Sequence, residues 1–115
     1  MAEKVQAAVR TGPQTTEFRE YDMPEIPNEA ALLKVEVAGI CGTDVKFYSK
    51  PPFEGPVIMG HENIGHIAKA GKIFQQRRGL KEGDLVFAEH YVGCMNCEHC
   101  HRGDYRLCMY TDWRK

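Results

Sequence analysis

Four cysteines, at positions 94, 97, 100 and 108, fall within the run CMNCEHCHRGDYRLC. Three thiols at successive i+3 steps and a fourth after seven intervening residues can converge on one point. That is the four-sulfur set of a closed, tetrahedral structural zinc site, so the spacing reads as a zinc knuckle at about residues 90–110. A bacterial iron–sulfur run would place its fourth cysteine three residues after the third, with proline behind it; here Met109 follows Cys108. Two disulfides would suit a secreted chain, and Met1 to Arg10 lacks the charged, apolar and small-residue series of a secretory signal.

A second set of reactive side chains lies upstream. Gly39-Ile40-Cys41-Gly42-Thr43-Asp44 and Gly60-His61-Glu62-Asn63-Ile64-Gly65 supply a thiolate, an imidazole and a carboxylate. Singly, Cys41 reads as a small buried hydrophobe, His61 as a hydrogen-bonded structural histidine and Glu62 as a surface carboxylate. Together they are three zinc-competent donors, the number a catalytic zinc takes from the protein while one position stays free for water or substrate. Asp44 is placed to accept the second imidazole N–H of His61 and fix its tautomer, and Thr43 offers a hydroxyl to carry a proton away. Cys41 and His61 acting as a metal-free nucleophile–base pair is a weaker alternative, because the adjacent Glu62 and the flanking glycines suit a metal better.

These residues need elements to position them. At 115 residues the chain has room for one modest domain. Its formal net charge is −1, with both signs intermixed, which argues against nucleic acid or an anionic membrane as a partner. No apolar run is long enough to span a bilayer, and the protein is expected to be cytoplasmic, where clustered cysteines serve as metal ligands rather than disulfides. Lys4–Arg10 and Phe18–Tyr21 read as strands, and Pro24 and Pro27 mark a loop. Ala31–Ala38 is the clearest strand, with Leu33, Val35 and Val37 on one face, expected to be buried. Thr43 and Asp44 are expected to cap a short helix over Val45–Tyr48, ended by Pro51, Pro52, Gly55 and Pro56. An extended segment is expected to run from Val57 through His61 to Ala70. Gln75–Lys81 reads as a solvated loop, Gly79–Gly83 as a turn, Leu85–Glu89 as a strand and Arg102-Gly103-Asp104 as a turn. Five or six short strands with little helical periodicity predict an all-β, barrel-like domain carrying a metal-held excursion. There is no GxGxxG and no strand–helix alternation, so no dinucleotide site is expected within the chain.

With these motifs in hand, the sequence resembles the medium-chain, zinc-dependent alcohol and polyol dehydrogenases. The resemblance rests on GICGTD at 39–44, GHENIG at 60–65 against that family's GHExxG, Gly83-Asp84-Leu85-Val86 against its GDxV, and the four-cysteine lobe with Gly103 before Cys108. It implies a mainly β fold, a GroES-like β-barrel spanning residues 1–115. Cys41 and His61 would then be ligands of a catalytic zinc, with Glu62 ligating directly or standing just behind the metal. Thr43 would relay the alcohol proton, Asp44 would support His61, and Cys94, Cys97, Cys100 and Cys108 would hold a structural zinc. In such enzymes zinc polarises an alcohol oxygen and hydride passes to the nicotinamide of NAD or NADP. The family's remaining zinc ligand and its Rossmann domain are expected beyond Lys115. The chain is therefore expected to be inactive alone, as part of a longer dimeric or tetrameric enzyme.

Departures from the family pattern sharpen the reading. Lys46 stands where liver-type members often have the histidine that ends the proton relay, so the relay would end at water or a cofactor hydroxyl. Gly42 tilts the resemblance toward polyol, butanediol or threonine dehydrogenases, and Met95 replaces a glycine common in the knuckle. The competing reading is a non-catalytic, zinc-stabilised β-barrel acting as a binding or assembly module. Such a module has no need for Cys41, Thr43, Asp44, His61 and Glu62 together, which favours the oxidoreductase.

Overall fold

A computed structural model describes residues 3–50 and 54–111. The alternation of apolar and charged side chains along Lys4–Gly12 (β1) and Thr15–Asp22 (β2) favours extended backbone, and the two form an antiparallel hairpin. The short strand Val57–Ile58 (β4) joins the other side of β1, giving the order β2-β1-β4. A second antiparallel sheet, in the order β3-β5-β6, contains Ala31–Gly39 (β3), Glu62–Ala70 (β5) and Leu85–Phe87 (β6). Every residue of β2 is exposed, and its Glu17, Arg19, Glu20 and Asp22 place charge on an edge that would otherwise template further pairing.

The register of β3 against β5 is the feature that builds the site. Ala31 pairs with Ala70 and Gly39 with Glu62, so the end of β3 meets the start of β5. Cys41, just past β3, and His61, just before β5, are thereby brought together from positions twenty apart. A side chain at Gly39 would place its Cβ 2.7 Å from Glu62 Oε2, so the bare backbone there leaves the Glu62 carboxylate its space.

Several elements differ from the sequence expectations. The first helix, α1, covers Gly42–Ser49 and begins before Thr43 and Asp44 rather than after them, with Cys41 as its N-cap. The backbone carbonyl of Cys41 accepts from the Asp44 N–H at 3.0 Å while Asp44 Oδ2 accepts from the Cys41 N–H at 2.8 Å, and this reciprocal pair sets the start. The extended segment expected from Val57 to Ala70 is two strands broken at Met59–His61, where Gly60 turns the chain at φ 106°. Gln75–Arg78, read as loop, lie in a second helix, α2 (Lys72–Arg78), stopped by left-handed Gly79. Phe74 N–H docks this helix on the Asn28 carbonyl at 3.0 Å. At seven residues it is too short to register a helical period. The third strand of the second sheet ends at Phe87 rather than Glu89. The proposed helix stop at Pro51 and Pro52, and the domain ends at Met1 and Lys115, lie outside the described residues.

The architecture is mainly β, but the strands form two separate three-stranded sheets rather than one closed barrel. Nor is the Leu33, Val35 and Val37 face of β3 buried. Leu33 is half-buried, and Val35 and Val37 are 52% and 61% exposed, because no second layer covers them among the described residues. The buried apolar side chains among the described residues are Val9 on β1, Ile67 on β5, and Cys97 and Cys100 in the cysteine lobe. No helix of the described chain is long and apolar enough to cross a membrane.

Two substitutions test this account. Ile67→Ala removes a buried side chain from the central strand of the second sheet and is expected to cost about 2–5 kcal/mol in a urea titration; an unchanged midpoint would contradict the assigned core. Met95 is a non-glycine residue at φ 60°, a conformation that costs L residues roughly 1–2 kcal/mol. Met95→Gly is expected to raise stability by about 0.5 kcal/mol once glycine's greater unfolded-state freedom is offset, and a clear loss of stability would refute that strain.

Candidate metal centres

In the cysteine lobe, Cys97 caps a one-turn helix, α3 (Glu98–His101), which carries Cys100. A 3₁₀ turn over Tyr105–Leu107 then returns the chain to Cys108. The His101 N–H donates to the Cys97 carbonyl at 3.0 Å, and the expected turn at Gly103 is present at φ 83°. The four Sγ atoms all lie within 4.8 Å of one another, with Cys94–Cys100 at 3.9 Å and Cys97–Cys108 at 4.0 Å. A tetrahedron of sulfurs around zinc, at about 2.3 Å from the metal, has edges of about 3.8 Å, so the four thiols fit the ion. All four are free thiols. Gly93 is needed beside them, because a Cβ there would stand 2.6 Å from Cys100 Sγ.

Hydrogen-bond donors approach these sulfurs. Cys94 N–H points at Cys108 Sγ at 3.3 Å, and Asn96 N–H at Cys94 Sγ at 3.4 Å. The Thr111 hydroxyl, then the backbone N–H groups of Cys94 and Tyr110, hold the Cys108 thiol down at about 5. That hydroxyl also reaches the Val92 carbonyl at 2.7 Å, so its one proton is shared between two acceptors. Cys97 is lowered as well, chiefly by the Cys100 backbone N–H, whereas burial pushes Cys100 up to about 11. Cys108 is thus held toward the thiolate, whereas Cys100 keeps a proton that a metal must displace.

The second set assembles as the sequence predicts. One ligand atom each from Cys41, His61 and Glu62 lies within 4.8 Å of the others. The thiol of Cys41 is half-buried at the helix N-terminus, His61 sits at the break before β5, and exposed Glu62 opens that strand. A soft sulfur, an imidazole and a carboxylate make a donor set suited to zinc with a position open to solvent. Thr43 is exposed in the first turn of α1. Asp44 stands 3.8 Å from His61 Nδ1, within ion-pair range but beyond a hydrogen bond, because its other oxygen is committed to the Cys41 N–H.

Two site residues escaped the sequence reading. The ring of His90 lies 4.7 Å from that of His61 and in turn packs on Tyr91 at 4.0 Å. His61, Glu62, Ile64, Phe87, His90 and Tyr91 line an open cavity of about 420 Å³. A histidine four residues before the first lobe cysteine was the available signal. Arg10, on the central strand β1, is buried at 3% exposure and lines, with Asp44 and His61, a cavity of about 150 Å³ behind the site.

With this geometry established, comparison with known proteins places the chain. Residues 27–114 match the alcohol dehydrogenase GroES-like domain. A probable alcohol dehydrogenase of Mycobacterium tuberculosis is 38% identical over 106 residues, covering 91% of this chain and 29% of the relative. Sorbitol dehydrogenase of Bombyx mori is 36% identical over 108 residues, covering 90% of this chain and 30% of its own. Among solved structures, an Escherichia coli oxidoreductase/dehydrogenase of unknown specificity superposes with a TM-score of 0.84 at 31% identity, over 96% of this chain and 33% of that one. A zinc-dependent alcohol dehydrogenase of Streptococcus pneumonia gives 0.73 at 28%, over 91% and 30%. The chain spans about a third of the length of the relatives it matches. It belongs to the medium-chain, zinc-dependent alcohol and polyol dehydrogenase family, whose GroES-like domain it carries.

Proposed function

We propose that this chain is the catalytic-domain portion of an oxidoreductase that moves hydride between a secondary alcohol or polyol and NAD(P), with one catalytic and one structural zinc. The observation that carries the reading is the convergence of Cys41, His61 and Glu62 from two separate segments onto one point, beside a cavity of about 420 Å³. An assembly module would gain nothing from that donor set, and the named relatives are dehydrogenases.

Cys41, His61 and Glu62 would hold the catalytic ion, which supplies Lewis-acid polarisation of an alcohol oxygen, while NAD(P) supplies the hydride acceptor. The chain's own residues do the rest. Asp44 locks the start of α1 through the Cys41 N–H and so fixes the direction of the thiolate, while its free oxygen biases the His61 ring. The exposed Thr43 hydroxyl, one residue before Asp44, takes the alcohol proton toward solvent. Ile64 and Phe87 give the cavity an apolar wall for the carbon skeleton, and Glu89 and His90 give it a polar side for further hydroxyls. The lobe's four thiolates would hold the structural ion and shape the segment that carries His90 and Tyr91 to the site.

In the longer enzyme of which this chain is proposed to be a part, Cys41→Ala or His61→Ala is expected to abolish NAD(P)-dependent alcohol oxidation while leaving the lobe's zinc bound. Retained turnover in either variant refutes the catalytic assignment. Cys97→Ser is expected to lower zinc content by one equivalent and reduce thermal stability, since binding at a closed site is folding free energy; unchanged values sink the structural assignment.

The lobe also predicts an order of thiol reactivity. With zinc removed, iodoacetamide at neutral pH is expected to label Cys108 first and Cys100 last, read by peptide mass spectrometry. Cys108 has a lowered folded pKa, so the stability from its thiolate is fully present above the ordinary thiol range near ~8.5 and is lost as pH falls through about 5. Preferential labelling of Cys100 would contradict the hydrogen bonding assigned to the lobe.

A further inference from the structure

Arg10 is a buried cation that neither the motifs nor the proposed chemistry accounts for. It lies on the central strand of the first sheet, paired with Thr16 on one side and Val57 on the other. Its Nε donates to the Tyr48 carbonyl at 3.3 Å, at the C-terminal end of α1. That carbonyl is also held by the Gln14 N–H at 2.8 Å, and the Tyr48 hydroxyl returns a bond to the Gln14 carbonyl at 2.8 Å. A cation at this position complements the negative end of the helix dipole. The first sheet thus grips one end of a two-turn helix whose other end is Cys41.

The second half of the observation is electrostatic. Arg10 joins none of the ion pairs among the described residues, and its Nη2 is sealed from solvent without a hydrogen-bond partner. A guanidinium does not deprotonate to escape burial, so its charge must be balanced by its surroundings. Asp44 lines both cavities that Arg10 lines, and the smaller one, about 150 Å³, also reaches His61. A buried positive charge that shares these cavities with a carboxylate committed to the Cys41 N–H and placed beside His61 can act on the site through that carboxylate.

We propose that Arg10 is a positioning residue for the Cys41, His61 and Glu62 site: it holds α1 by its C-terminal carbonyl and balances Asp44 across the cavity behind His61. Because its Nη2 is shut off from solvent, Arg10 acts through α1 and Asp44 rather than by touching substrate. This rests on the reading of that site as a metal centre, and it extends the site's support from the second sheet to the first.

The test is a cobalt titration of the longer enzyme carrying this chain, with zinc already in the lobe, followed by the d–d and sulfur-to-cobalt charge-transfer bands of the second site. Arg10→Met is expected to weaken cobalt binding at that site about tenfold or more and to shift its bands, with lobe zinc unchanged. Arg10→Lys restores the charge without the fork and is expected to recover part of the affinity; it carries the test alone if Arg10→Met does not fold. Ile67→Ala serves as the control for general destabilisation and is expected to leave the bands and affinity near wild type. Variants of Arg10 that bind cobalt within twofold of wild type, or a control that loses as much as they do, overturn the positioning role. Wild-type protein that takes up no second metal overturns the metal centre itself, and the role of Arg10 with it.

Discussion

The antiparallel register of β3 against β5 is the constraint on which the candidate chemistry depends. Pairing Gly39 with Glu62 fixes where the two strands end relative to each other, and so places Cys41 beside His61. In a sheet a slip of one residue turns every side chain to the opposite face. Such a slip would carry Glu62 away from Cys41 and leave no three-donor set. Gly39 leaves the Glu62 carboxylate where it is, since a Cβ at position 39 would stand 2.7 Å from its oxygen and push it aside.

The remaining supports can be ranked by what they hold. The cap formed by Asp44 on the Cys41 N–H directs the thiol, the turn at Gly60 directs the imidazole, and the hairpin β1–β2 steadies the far end of α1 through Tyr48. The lobe contributes differently. Two of its cysteines, Cys97 and Cys100, are buried, as Val9 and Ile67 are in the sheets, so in the lobe sulfur takes the place of hydrocarbon. A buried cluster of four thiols has little cohesion of its own, and the proposed structural zinc would give that end of the molecule a core. On the proposed function, the lobe's metal would organise the segment bearing His90, while the other metal would take part in chemistry.

Much of the site was legible in the sequence because metal ligation imposes both residue type and spacing. Cys94, Cys97, Cys100 and Cys108, and the GHE and CGTD motifs, were recognisable before any fold was known, and the structure brings the four cysteine sulfurs, and separately the donors of Cys41, His61 and Glu62, within 4.8 Å of one another. The strands were legible in position, but not in their surroundings. Alternation along β3 correctly indicated extended backbone, yet it could not show that Val35 and Val37 lie on an open face. Helix α2 was missed because seven residues hold too few turns for periodicity, and its docking on Asn28 is a tertiary contact. Asp44 was linked to His61 by motif, whereas its shorter bond is to the N–H of Cys41. Arg10 was invisible because its place arises from strand order, which local sequence does not encode, and His90 offered no more than its spacing from Cys94.

The central claim is that two chemically distinct zinc centres coexist, one of four sulfurs and one of mixed donors. Zinc X-ray absorption on the metal-loaded longer enzyme that carries this chain, and on its Cys41→Ser, His61→Ala variant, tests it most directly. The account predicts two zincs per chain in the parent, with a spectrum that combines sulfur scattering at about 2.3 Å and nitrogen or oxygen scattering at about 2.0–2.1 Å. It predicts one zinc with four sulfurs alone in the variant. Mixed scattering that persists unchanged in the variant, or a parent that holds a single zinc, would contradict it.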